Sequence, residues 1–155
     1  MSNLKDITTN IVSNRKELAR TLIKPATNFA TSLVINKFYF TSSTITIGGI
    51  KFNQQIFYSI VNTLISYFQE NLRAYILPTF IERQLIEKAT YLISPTICGI
   101  GVMLSHELIT LMKGGHSLSA QALLYSFFIG MISELLANYI YENVIRIVAD
   151  KMFVV

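Results

Sequence analysis

His106 and Glu107 stand side by side, and His116 follows ten residues after the first histidine. Two imidazoles beside a carboxylate are the raw material of a zinc hydrolase, but the spacing does not serve that chemistry. On a helix the second ligand must come four residues on, and that place is held by Thr110; the glycine of the longer pattern is replaced by Lys113. Two histidines cannot hold a catalytic zinc, which takes three protein ligands. Cys98 is the only cysteine, so no internal disulfide and no cysteine-based metal site can form. Its place among small residues suits packing. No nucleophile elbow, phosphate loop or dinucleotide fingerprint occurs, and Gly99-Ile100-Gly101 is a packing feature. The chain is expected to carry no catalytic site, cofactor or metal.

Three ionisable residues, Lys37, Glu107 and Glu134, lie inside apolar stretches. If those stretches cross a bilayer, an unpaired charge costs at least about 2.5–3.5 kcal/mol, so each charge should face protein and find a partner. Lys37 and Glu134 are expected to pair, since a lysine stem can bridge the offset of about 7–8 Å between them. Glu107 lies close to a turn and can reach water. A proton or ion path would need several aligned polar residues, so a structural ion pair is the simpler reading.

The elements that must position these groups are four apolar stretches, 28–47, 52–69, 89–112 and 118–141. Lys5, Arg15, Lys16, Arg20 and Lys24 precede the first, Arg73, Arg83 and Lys88 divide the second from the third, and Arg146 and Lys151 follow the last. The intervening turns hold one cation each, Lys51 and Lys113. That makes ten cations on one side against two on the other, the bias of a four-span membrane protein with both termini cytoplasmic. Apolar residues make up 52% and charged residues 14%, against about 25% charged in soluble chains. The net charge of +4 is concentrated near the N-terminus, which points to an anionic surface and away from a nucleic-acid groove. There is no Trp, and Tyr67, Tyr75, Tyr139 and Tyr141 are placed to mark span ends.

Residues 1–25 read as a basic helix with Leu4, Ile7, Ile11, Leu18 and Leu22 on one stripe, ended by Pro25. Arg15, Lys16 and Arg20 would then rest on headgroups. The charges that interrupt this segment exclude a signal-peptide pattern. Within the first span, β-branched residues and Gly48-Gly49 also fit a hairpin. Helix is preferred, because isolated strand edges cannot be satisfied in lipid. The linker 70–88 reads as a solvated helical elbow in which Glu70 and Arg73 pair. Phe57 to Ala74 aligns with Leu124 to Tyr141 through Tyr58, Ser59, Ile65, Ser66 and Asn71. Each stretch follows a Gly-Gly pair, so a duplicated two-helix unit is one reading. Ala122, Ser126 and Gly130 recur every four residues and continue into Glu134 and Asn138. With Ser94, Cys98, Gly101 and Ser105 they form small rows expected to let the last two helices approach closely.

The expected fold is all-α: four transmembrane helices as two antiparallel hairpins (28–69 and 89–141), forming one membrane domain over 26–155 behind the N-terminal amphipathic helix. In this architecture the chain resembles the small multi-pass structural proteins of virion membranes, including four-span examples with a basic N-terminus from plant and insect RNA viruses. The resemblance implies an integral membrane protein that self-associates and shapes or lines a membrane, with termini on the interior side. Its implied partners are the lipid bilayer, further copies of itself, and capsid or other virion proteins. Two rivals stand beside it: an oligomeric channel of the viroporin kind, and a soluble helical capsid or cement component.

Overall fold

A computed structural model describes the backbone of residues 2–40, 43–114, 116–148 and 151, with side chains from Arg15 onward in those ranges except that of Arg83. The chain is all-α apart from one short hairpin. The helices are α1 (Ser2–Tyr39), α2 (Gln54–Asn71), α3 (Arg83–Gly114) and α4 (Ala120–Ile140), and strands β1 (Thr44–Ile47) and β2 (Ile50–Asn53) join the first two. In the bundle α1 packs on α2 and α4, while α3 packs on α4 and α2. Both tight connections, β1–β2 and residues 116–119, therefore lie at one end. The start of α1, the end of α4 and the connection between α2 and α3 lie at the other.

Pro25 does not end a helix: α1 runs through it for 38 residues. A proline removes one backbone donor, and membrane-type bundles tolerate this where neighbouring helices hold the segment. Here Lys24 and Asn28, on either side of Pro25, are both bound to α4. The boundary expected at residue 25 is therefore not a structural one. The stripe residues Leu4, Ile7 and Ile11 lie outside the described side chains.

The helix expected over 28–47 stops at Tyr39, and the local β pattern prevails beyond it. Gly48 and Gly49 have φ of 57° and 82°, the doubly positive turn that suits a two-residue hairpin. Ile47 pairs with Ile50 and Thr44 with Asn53. The lipid objection to strands does not apply at the end of a bundle, where edges can meet water. Asn53 then caps α2, its side chain accepting from the backbone N–H groups of Gln55 and Ile56. Past α2 the chain makes a π-helical turn, Leu72–Ile76, and a second follows α4 at Tyr141–Ile145.

The hairpins share more than their order. Ser59 and Ser126, paired in the alignment above, are both fully buried, and each donates to the carbonyl one turn back, Gln55 and Ala122. Each also meets a polar side chain of the preceding helix, Asn36 at 2.8 Å and His106 Nδ1 at 2.6 Å. Ser66 and Ser133 are likewise both buried, whereas Tyr58 is buried and Tyr125 exposed.

Small residues set the distance between α3 and α4. A Cβ on Gly130 would lie 2.7 Å from the carbonyl oxygen of Cys98, and one on Gly99 would lie 2.6 Å from that of Phe127. Gly101 faces Ile65 of α2 instead of α4. Replacing Gly130 with Leu is expected to cost about 1–3 kcal/mol by overpacking. Leu124→Ile, on the exposed face, should stay within about 0.5 kcal/mol. Thermal melting in detergent measures both, and equal melting would show that backbone contact at Gly130 is not limiting.

Candidate functional site

Many of the side chains that fill the bundle are polar. On α1 the row Arg20, Lys24, Asn28, Ser32 and Asn36 recurs every fourth residue, and all but the half-buried Arg20 are buried. The opposite row, Leu18, Leu22, Ala26, Ala30, Val34 and Phe38, is exposed throughout. Helix α2 repeats the pattern, with Tyr58, Asn62, Ser66 and Glu70 inside and Ile56, Ile60, Leu64 and Phe68 outside. On α4, Ser126, Gly130, Ser133, Glu134 and Asn138 are buried while Phe128, Ile132 and Leu136 are exposed. On α3, Ser94 and Cys98 face in and Leu92 is 78% exposed. This inverts the usual soluble arrangement, in which apolar stripes face the core.

The polar interior converges on Glu134, which is fully buried. Its Oε1 lies 3.1 Å from Lys24 Nζ and accepts from Ser94 at 3.0 Å and Ser66 at 3.4 Å. Its Oε2 accepts from Asn28 and from the Cys98 thiol. These donors come from α1, α2 and α3, so one carboxylate on α4 gathers the whole bundle. Lys24 also binds Glu70 at 2.6 Å. Glu70 in turn holds Arg73 at 3.0 Å and Arg20 at 3.3 Å. Arg73 extends to Glu17, and Arg20 to Glu142, with its guanidinium 5.6 Å from the centre of the Tyr141 ring. Fully buried pairs give way at the rim to Glu17, Arg20 and Glu142, whose side chains are 14–19% exposed. Charges out of water are tolerated only when paired and hydrogen-bonded, and this cluster meets both demands.

Lys24 thus takes the place expected for Lys37. With α1 ending at Tyr39, Lys37 falls in its last turn and is exposed, too far along the helix to reach Glu134. Glu70 and Arg73 do pair, but buried inside the bundle and not on a solvated elbow. Arg20 points into the cluster, while Arg15 and Lys16 are exposed. Glu107 accepts from Ser117 Oγ and from the backbone N–H of Leu118, tying residues 117 and 118 to α3. Ala122 is half-buried at the hairpin end of its row.

At that end the interior closes with rings. Phe40 stacks on Tyr58 at 4.3 Å between centroids, and His106 meets Phe40 edge-on at 5.0 Å. Among the described residues no cluster of His, Cys, Asp or Glu could hold a metal ion. Comparison with family profiles, curated proteins and solved structures finds no match to this chain.

The charge ledger makes Glu134 the vulnerable member. Glu70 keeps Arg20 and Arg73 if Lys24 is lost, but Lys24 is the only cation paired with Glu134 among the described residues. Lys24→Met should therefore cost about 3–5 kcal/mol by stranding a buried charge. Adding Glu134→Gln should recover most of that loss, and adding Glu70→Gln should not. A double-mutant cycle on detergent melting curves measures the coupling. Additive losses for Lys24 and Glu134 would show that their pairing does not hold the helices.

Proposed function

We propose that the chain is a small integral membrane protein with a structural role, its four helices crossing the bilayer around a polar interior. The observation that carries this reading is the outward apolar row on α1, α2 and α4, set against an inward row rich in Lys, Glu, Asn and Ser. Two helical segments, Gln84–Gly114 and Ala120–Val148, are long and apolar enough to cross a membrane. Helices α1 and α2 are too polar on average. Between Arg20 and Asn36, however, the charged and amide side chains of α1 face protein, as do Asn62 and Glu70 of α2. Exposed Lys37 falls at the hairpin end of α1. From Arg20 to Tyr39, α1 spans about 30 Å at helical rise, the thickness of a hydrocarbon core. Glu134 comes 14 residues after Ala120, about 21 Å from the hairpin end, so the ionic cluster would lie near the opposite boundary. Its rim, together with Arg15 and Lys16, would face the cytoplasmic or interior side, in line with the cation bias.

Within the bundle the buried cations are paired with carboxylates, and aromatic rings pack at the far end. That favours scaffolding over conduction. Lipid is the first partner in this reading. Further copies of the chain, and capsid or other virion proteins, are the partners its resemblance to virion membrane proteins would add. Chemistry plays no part in it.

Alkaline carbonate should leave the protein in the membrane pellet. In a Cys98→Ser background, single cysteines at Thr79 and Ser117 should react with an impermeant reagent from opposite sides, and Ser43 should behave like Ser117. All three positions are exposed at the ends of the bundle. Release by carbonate would favour the soluble capsid or cement reading, and equal labelling of Thr79 and Ser117 would overturn the four-span arrangement.

A further inference from the structure

An open hollow of about 400 Å³ lies on the outer face of the bundle between α3 and α4, walled by Tyr91, Leu135, Asn138, Tyr139, Glu142 and Asn143. Its positions beyond α3 recur every three or four residues and so form one stripe of a helix. Tyr91, Leu135 and Tyr139 are exposed, and the stripe continues toward the middle of the bundle through exposed Ile132 and Phe128. Glu142 marks the other edge, where its carboxylate already holds Arg20 and Arg146. Neither an anion nor a cation therefore finds a free counter-charge on these walls.

Asn138 is only 5% exposed, and its Oδ1 has no hydrogen-bond partner among the described residues. The neighbouring amide of Asn143 is in use, donating to the Tyr139 carbonyl at 2.9 Å. A buried acceptor left without a partner calls for a donor. No hydrogen bond among the described residues fixes the Asn138 amide, and its terminal torsion has a broad range, so Oδ1 can turn toward the hollow. The site lacks one neutral donor, and around that point it offers aromatic and aliphatic surface.

We propose that this hollow binds a sterol, its hydroxyl donating to Asn138 Oδ1 and its rings lying against Tyr91, Leu135 and Tyr139. The inference rests on the bilayer-spanning reading. Asn138 comes 18 residues after Ala120, about 27 Å from the hairpin end, and so just inside a hydrocarbon core about 30 Å thick. An amide at that depth has no water to pair with, and leaving it unsatisfied is costly. A sterol carries one uncharged hydroxyl on a rigid apolar body. Its hydroxyl rests at the polar boundary while its rings run inward past Leu135 toward Ile132 and Phe128. Neutral lipids with flexible tails offer the same hydroxyl, but a rigid body loses less freedom on binding.

The test uses the full chain in phosphatidylcholine nanodiscs containing cholesterol, its 3-keto analogue cholestenone, or octadecanol, with bound lipid counted by native mass spectrometry. Cholesterol should be retained one per chain and about tenfold more tightly than the ketone, which cannot donate; that factor is the worth of one buried hydrogen bond. Asn138→Leu should abolish the preference while leaving the ketone unchanged. Leu135→Trp, at an exposed position, should fill the hollow and abolish retention of both sterols without changing the detergent melting curve. Equal retention of cholesterol and ketone by the unaltered chain would overturn the pairing with Asn138. Octadecanol held as tightly as cholesterol would overturn the sterol assignment, and retention unaffected by Leu135→Trp would overturn the site. Carbonate extraction separates this inference from the reading beneath it. A chain that stays in the pellet yet retains no cholesterol overturns the sterol site alone, whereas release by carbonate overturns the spanning arrangement with it.

Discussion

One ammonium group, that of Lys24, links the two buried carboxylates on which the packing of this protein depends. Glu70 on α2 and Glu134 on α4 both contact it; Glu70 also holds Arg20 and Arg73, whereas Glu134 has no other cation among the described residues. Glu134 then draws in Ser94 and Cys98 of α3, so all four helices meet through two acids and one base. In water such a cluster would be a weak source of stability, because desolvation offsets the Coulombic gain. In lipid the comparison changes. Separated helices would have to expose the same charges to hydrocarbon, and no hydrophobic effect drives helices together there. Polar contacts and the close approach at Gly130 and Gly99 are then the terms that distinguish assembled from separated helices.

The two ends of the bundle are built differently. At the terminal end, charges pass by steps from fully buried Glu134 to half-exposed Arg146. The π-helical turns after α2 and α4 lie beside this region, next to Arg73 and Glu142. At the hairpin end the interior is closed by Phe40, Tyr58 and Val102, with His106 among their rings. A bundle with ionic groups at one boundary and aromatic packing at the other has a built-in polarity, and the loop cations share its direction.

Much of α3 and α4 was legible in the sequence. The row from Ala122 to Asn138 has one small or polar residue per turn, and apart from half-buried Ala122 that row is the buried face. The central pairing was harder to read. Pro25 looks like a helix stop, and that assigns Lys24 to a surface segment and leaves Lys37 as the nearest base for Glu134. The signal that would have corrected this is the fourfold spacing of Arg20, Lys24, Asn28, Ser32 and Asn36, which runs straight through the proline. The hairpin at Thr44–Asn53 was equally visible in its β-branched residues and Gly48-Gly49. The rule that excludes strand edges from lipid does not reach the end of a bundle.

The likeness between the hairpins bears on how such an interior can arise. Ser59 with Asn36 and Ser126 with His106 are the same hydrogen-bonded arrangement built twice, each serine also bound to the carbonyl one turn behind it. The ring order of the helices fits a twofold relation, since α1 meets α2 and α4 as α3 meets α4 and α2. Strict symmetry would nevertheless place like charges opposite one another. Instead the second unit supplies Glu134, while the first supplies Lys24 and Glu70, with Ser94 and Cys98 as the neutral donors of α3. Ionic complementarity in the interior therefore requires that the two halves differ. With Lys24 and Glu70 in the first hairpin and Glu134 in the second, the halves meet through opposite charges, and Lys24 is the residue that joins them.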